Sequence, residues 1–235
     1  MNSILVWDIP TRIFHWLFAL SFAVAFVTAE AEGWIALHVY SGLLFAGLLL
    51  YRIVWGVIGS RYARFTSFLF GPVRAVQYLL DSLQGKAERH IGHNPAGSWA
   101  IYLLLLSGIA ISVSGLYMLS AAGEQFEELH EAATYAALAV VVAHIVGVIV
   151  ASRLHHENLP RAMVTGYKQG DAGQAIKSAR PLAALLLLAL LAAFSVSYWK
   201  GWDPQTQSLT LPFAGQPISL QNEGGEGGHE GGDDD

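Results

Sequence analysis

The sequence predicts an all-α integral membrane protein, and three observations carry that reading. Of its 235 residues, 54% are hydrophobic and only 13% charged, and the mean hydropathy is +0.43. That composition is far from the soluble average. Five apolar runs, residues 13–29, 34–59, 97–122, 129–152 and 181–199, approach or exceed the roughly 20 helical residues that cross a hydrocarbon core. Basic residues then fall in alternate loops, as the positive-inside rule requires.

Each run is expected to be a helix, because backbone groups in lipid must be satisfied within the segment. The first run is the shortest and is bounded by Glu30 and Glu32; the second is long enough to tilt. Between the second and third runs lie Arg61, Arg64, Arg74, Lys86 and Arg89; between the fourth and fifth lie Arg153, Arg161, Lys168, Lys177 and Arg180. The loops at 30–33 and 123–128 carry no Lys or Arg. A bacterial inner-membrane protein is expected, with its N-terminus cytoplasmic and its C-terminus outside. No cleavable signal peptide is expected, since the first apolar run follows Arg12 directly with no small-residue cleavage site. Within the first basic loop, GPVRAVQYLLDSLQG spaces Val73, Val76, Tyr78, Leu79, Leu80 and Leu83 as an amphipathic surface helix near 72–85, opened by Pro72 and closed by Gly85.

The net charge of −5 is a property of the tail. Residues 221–235 hold six of the eighteen acidic residues and no Lys or Arg, which leaves 13 basic against 12 acidic elsewhere. That Gly- and acid-rich stretch is expected to be disordered. Zero cysteines exclude disulfides, iron–sulfur clusters, thiolate metal sites and thioether-attached haem. A redox cofactor would therefore need histidine, methionine or a non-covalent pocket.

Four of the nine histidines fall in the apolar runs: His15, His38, His130 and His144. His130 and His144 are fourteen residues apart, so they share one helix face about 21 Å apart. Topology puts His38 level with His130 near the outer surface, and His15 level with His144 near the inner one. Two imidazole pairs at matched depths on facing helices are what two stacked bis-histidine haems require. Arg52, fourteen residues after His38, and Arg12, one turn before His15, could pair with propionates of the inner haem or act as snorkelling anchors. Gly42, Gly147, Ala133, Ala137 and the thin-surfaced SGIAISVSG segment could leave room for macrocycles or serve helix packing. His90 and His93 read as loop residues, His155 and His156 as solvated beyond a helix end, and His229 as inert. Glu128 and Glu131 flank His130 and read as interfacial, though hydrogen bonding to tune the ligand is also open.

At these residues the sequence resembles a known family. VWDIPTRIFHW, YRIVWGVIGSRYARF, GHNPAGSW and HHENLPRAMVTGYK are similar to motifs of the bacterial cytochrome b561 family, which includes the b-type cytochrome subunits of nickel–iron hydrogenases. The resemblance covers residues 4–168. It implies a four-helix haem-binding transmembrane bundle, here with a fifth transmembrane helix added. It also implies two haems b that pass electrons between quinone and a redox partner protein. By the same resemblance, His15 and His144 would ligate the inner iron and His38 and His130 the outer one.

The organisation expected is a haem-binding domain over 1–168, a linker and fifth helix over 169–200, and an extracytoplasmic tail over 201–235. The partners expected are membrane lipid, quinone and a soluble or membrane-attached redox protein such as a cytochrome c, with no nucleic acid. Arg12, Trp16, Arg52 and Arg153 are inner-level candidates for a quinone site, and spacing singles out none of them. Two other functions stay open: a stand-alone oxidoreductase acting on superoxide or ferric substrates, and a haem-free anchor whose histidines relay protons.

Overall fold

The computed structural model describes residues 2–31, 33–119, 124–210 and 216–220. In chain order these form β1 (Asn2–Leu5), α1 (Ile9–Thr28), α2 (Ile35–Ile58), α3 (Pro72–Leu83), α4 (Pro95–Met118), α5 (Glu127–Leu154), α6 (Leu159–Thr165), β2 (Tyr167–Gly170), α7 (Pro181–Gly201), and three two-residue strands, β3 (Trp202–Asp203), β4 (Ser208–Leu209) and β5 (Ile218–Ser219). Five of the helices, α1, α2, α4, α5 and α7, are long and apolar enough to span a membrane. The acidic stretch 221–235 lies outside the described residues.

Local chemistry sets the helix starts. Asp8 caps α1 by accepting from the Thr11 amide at 2.7 Å, Asn94 caps α4 through the Gly97 amide at 2.7 Å, and Asn158 caps α6 through the Arg161 amide at 2.8 Å. Each of these helices, and α3 and α7 as well, carries proline in its first turn, where no amide partner is lost. α6 ends on Gly166 at φ +90, a left-handed position that also needs a bare α-carbon: an added Cβ would strike the Trp7 carbonyl. The Gly166 carbonyl accepts from both Val6 and Trp7 amides, at 2.8 and 3.0 Å.

The bundle is two hairpins. α1 packs along α2 and α4 along α5, and the hairpins meet chiefly where α2 touches α4. α5 leans on α4 and buries only Ala137 and Ala151 of its 28 residues. Midway along the bundle an aromatic layer ties the hairpins together. Phe45 of α2 is buried with Ile111 of α4 and Ala137 of α5, and stacks on Phe18 of α1 at a centroid distance of 4.1 Å. α7 packs on α1 and α2, where Leu187 joins Phe14 and Leu48 and Tyr40 hydrogen-bonds Ser195 at 2.8 Å.

Small caps close both ends. At the end that carries the basic loops, β1 pairs antiparallel with β2 over Asn2↔Gly170 to Leu5↔Tyr167, above a core of Ile4, Val6, Trp7, Tyr62, Ala162 and Ile176. α3 lies there too, with Ala75 and Tyr78 buried and Val73, Val76, Leu79, Leu80 and Leu83 exposed. That is the amphipathic pattern the sequence predicts for a surface helix, except that Tyr78 turns inward onto the protein instead of joining the exposed apolar face. At the opposite end β3, β4 and β5 form a three-stranded antiparallel sheet. Its Leu209 and the following Leu220 pack on Val39 and the fully buried Tyr198, whose hydroxyl donates to the Ala36 carbonyl at 2.6 Å. Residues 202–210 and 216–220 therefore contribute a cap, in a stretch that the sequence reading assigns to an extracytoplasmic tail.

Candidate haem-binding site

The four bundle histidines fall at two depths, separated by the Phe18–Phe45 layer. Phe45 is seven residues beyond His38, and Ala137 is seven residues from both His130 and His144. The structure thus divides these histidines into two chambers.

Toward the end capped by the three-stranded sheet, His38 of α2 faces His130 of α5 with ring centroids 6.3 Å apart. Each ring is held by its Nδ1. That of His38 lies 2.8 Å from the Ala25 carbonyl, and that of His130 lies 3.1 Å from the Ile111 carbonyl and 3.0 Å from Ser114 Oγ. A carbonyl can only accept, so both Nδ1 atoms carry the proton and both Nε2 atoms keep a lone pair. Gly115 lets α4 approach, since a Cβ there would lie 3.1 Å from His130 Cε1 and 3.3 Å from Nδ1. A cleft runs beside this pair, lined by Gly42, Ala46, Ser112, Gly115 and Leu116 along with the two histidines. A Cβ on Gly42 would meet nothing within 4 Å.

At the basic end, His15 of α1 and His144 of α5 are half-buried and close enough to interact electrostatically. The His15 ring stands edge-on to Trp16 at 5.0 Å. Gly147, one turn beyond His144, faces open space. Several buried polar atoms in this half have no hydrogen-bond partner among the described residues: Thr11 Oγ1, Arg12 Nε, His15 Nδ1, Tyr51 Oη, Ser60 Oγ and His93 Nδ1. Buried polar groups are ordinarily satisfied, so such a concentration marks a place built for a polar ligand or ordered water.

Arg12 and Arg52 both lie at this level. Arg12 donates through one Nη to the Val164 carbonyl and keeps its Nε unpaired. Arg52 is 5% exposed, donates to the Ala63 carbonyl at 3.0 Å and sits over the Phe65 ring at 4.8 Å. Asp8, fully buried and accepting from Trp55 Nε1 at 3.2 Å, is a charge partner of Arg52 that sequence reading missed. The anchor motif VWDIP contains it, but nothing in the spacing links it to Arg52. His93 also differs from expectation. It is wedged between Trp7 at 4.8 Å and Phe68 at 4.4 Å rather than solvated. Burial first, then the Arg52 and His144 charges, push its imidazole down to about 3.

Histidines paired on facing helices of a membrane bundle, their Nδ1 atoms turned to backbone carbonyls, are the arrangement found in membrane b-type cytochromes. The comparisons agree: residues 6–166 match the family model described as prokaryotic cytochrome b561, and the chain belongs to that family. It is 31% identical over 142 residues to the probable Ni/Fe-hydrogenase 1 B-type cytochrome subunit of Escherichia coli K12, covering 49% of this chain and 60% of the relative. It is 22% identical over 209 residues to the probable Ni/Fe-hydrogenase B-type cytochrome subunit of Cupriavidus necator, covering 69% and 86%. The chain thus spans about 60% of the length of the E. coli relative. No solved structure matches it.

A b-type cytochrome implies haem b, and the residues present fit that group. Two metal–imidazole bonds of about 2 Å each, plus the half-width of each ring, span close to the 6.3 Å between His38 and His130. Anchoring of Nδ1 by backbone carbonyls is the usual way a ligating imidazole is oriented. The unpartnered polar atoms around His15 supply donors at the other level.

Proposed function

We propose that the chain is a di-haem b-type cytochrome that carries electrons across the membrane between the quinone pool and a redox partner protein. The observation that carries this reading is the division of four histidines into two chambers by the Phe18–Phe45 layer, one pair with its Nε2 atoms free. His38 and His130 would hold one haem, and His15 and His144 the other; a haem held there would supply one-electron redox chemistry. The protein's own work is orientation and electrostatics. The Ala25 and Ile111 carbonyls fix the outer imidazoles and raise their basicity. Arg12 and Arg52 place positive charge at the other level, where propionates would meet it.

The charge of the loops supports an orientation in which the β1–β2 cap and α3 face the cytoplasm and the three-stranded sheet faces outward. The inner chamber then lies on the cytoplasmic side. The relatives' names mark them as Ni/Fe-hydrogenase subunits, which supports a hydrogenase-like dehydrogenase as partner; a cytochrome c would serve the same role at the outer face. The test is anaerobic rapid mixing of the purified protein with a short-chain quinol. Reduction seen in the haem spectrum, lost in His144→Ala, is the expected result. Failure of quinol to reduce the protein, alongside direct turnover of superoxide or ferric substrate without a partner, would support a stand-alone oxidoreductase instead.

A further inference from the structure

Ser114 of α4 stands beside the outer histidine pair and is fully buried. Its Oγ lies 2.7 Å from the Ala110 carbonyl, 3.2 Å from the Ile111 carbonyl and 3.0 Å from His130 Nδ1. A serine inside a helix commonly does no more than donate back to the carbonyl one turn earlier. Ser98 of the same helix does that and is equally buried: its hydroxyl donates to the Asn94 carbonyl at 2.9 Å. Ser114 makes the same back-bond and also meets a candidate haem ligand. Glu128 and Glu131, which flank His130 in the sequence, are exposed and make no hydrogen bond to it among the described residues.

The partners fix where each hydrogen points. His130 Nδ1 also lies 3.1 Å from the Ile111 carbonyl, which only accepts, so the ring nitrogen carries the hydrogen. The two carbonyls within reach of the Ser114 hydroxyl likewise only accept. Its own hydrogen therefore points to Ala110 or Ile111, and a lone pair of Oγ faces the ring. Ser114 accepts from His130 Nδ1–H, which is shared between Oγ and the Ile111 carbonyl. Because Ser114 is fully buried, water does not weaken this bond. At the inner level His15 Nδ1 is buried without a partner among the described residues, so this acceptor has no counterpart on that ring.

We propose that Ser114 is a positioning residue that sets the redox potential of the outer centre through His130. An acceptor on Nδ1–H makes the imidazole more basic, and a more basic axial ligand favours the ferric over the ferrous state. Ser114 thus holds the outer potential below the value that the Ile111 carbonyl alone would give. The carbonyls on His38 and His130 belong to the helix backbones, so Ser114 is where a side chain adjusts the ligand. This rests on the di-haem reading above.

The experiment is a spectroscopic redox titration of the purified haem-loaded protein, of Ser114→Ala and of Ser98→Ala, with the haem content of each preparation measured. The component lost in His130→Ala, or retained in His144→Ala, identifies the outer centre. Ser114→Ala removes one acceptor and leaves the Ile111 carbonyl, so the outer haem should stay bound and titrate at a higher potential. The expected change is roughly fivefold in the ferrous-to-ferric ratio at fixed ambient potential, the size of one net hydrogen bond, or about 40 mV at about 59 mV per tenfold for one electron. The inner potential should not move, and Ser98→Ala should move neither. An outer potential that is unchanged or lower in Ser114→Ala, an equal shift at both centres, or the same shift in Ser98→Ala would overturn the proposal. So would loss of the outer haem from Ser114→Ala, which would make Ser114 an anchor of the ring instead. A haem content of one per chain in the unaltered protein would overturn the di-haem reading beneath it.

Discussion

Gly115 offers a sharp test of the outer chamber, because there a single methyl group acts on a ligand rather than on general packing. A Cβ at this position would lie 3.1 Å from His130 Cε1 and 3.3 Å from Nδ1. The ring cannot simply rotate away, since its Nδ1 is tied to the Ile111 carbonyl at 3.1 Å and to Ser114 Oγ at 3.0 Å. Gly115→Ala therefore forces His130 to move by a few tenths of an ångström against two hydrogen bonds. Overpacking of this kind costs about 1–3 kcal/mol, which corresponds to roughly 5- to 150-fold weaker retention of the outer haem at about 1.4 kcal/mol per tenfold. Gly115→Val adds two more carbons and should empty the outer chamber. Gly47, nine residues beyond His38 and so on the opposite face of α2, would place its Cβ in open space; Gly47→Ala is the matched control. The assay is haem content and the reduced-minus-oxidised spectrum of each purified variant. Full retention of the outer haem in Gly115→Val, or equal loss in Gly115→Ala and Gly47→Ala, would refute the reasoning.

Further expectations follow from the same geometry. His130→Ala should remove the outer haem and His144→Ala the inner one, each leaving the other visible by spectroscopy; equal loss of both from each variant would indicate one shared site. Gly42→Phe should also block the outer chamber, because the open space before Gly42 lies one turn from His38. His93 is pushed down to about 3 from an ordinary value near 6.5, so the unfolded chain binds a proton that the folded one refuses as pH drops below about 6.5. Its contribution to stability is then full above that value and is lost toward pH 3, by an amount on the order of 3 kcal/mol at about pH 4. Thermal unfolding of His93→Phe, which preserves the contacts with Trp7 and Phe68, should show a shallower acid dependence. Glu157→Ala leaves Arg89 and Lys168 facing each other without a counter-charge and should lower the unfolding temperature; equal stability of variant and parent would contradict it.

The membrane helices were legible in the sequence because each is a long apolar run, a signal that local composition carries unaided. Their ends were less so. The first begins at Ile9 rather than near residue 13, because Asp8 and Pro10 start a helix ahead of its most apolar stretch. The amphipathic helix appeared where its spacing placed it, at Pro72–Leu83. The β1–β2 pair and the three-stranded cap left no readable pattern: two to four residues carry no period, and Asn2 meets Gly170 only through tertiary folding. The same distinction divides the site. Histidine spacing on one helix can be counted along the chain, and the facing of His38 and His130 followed from it. Asp8, His93 and Lys168 were missed because each is buried by segments remote in sequence, and a lone polar residue in a loop looks solvated until those segments close over it.

The central claim is that this fold holds two haems, one in each chamber. A pyridine haemochrome assay with protein quantification on the detergent-purified chain tests it most directly. The account predicts about two haems b per chain; one haem, or none in well-folded protein, would contradict it.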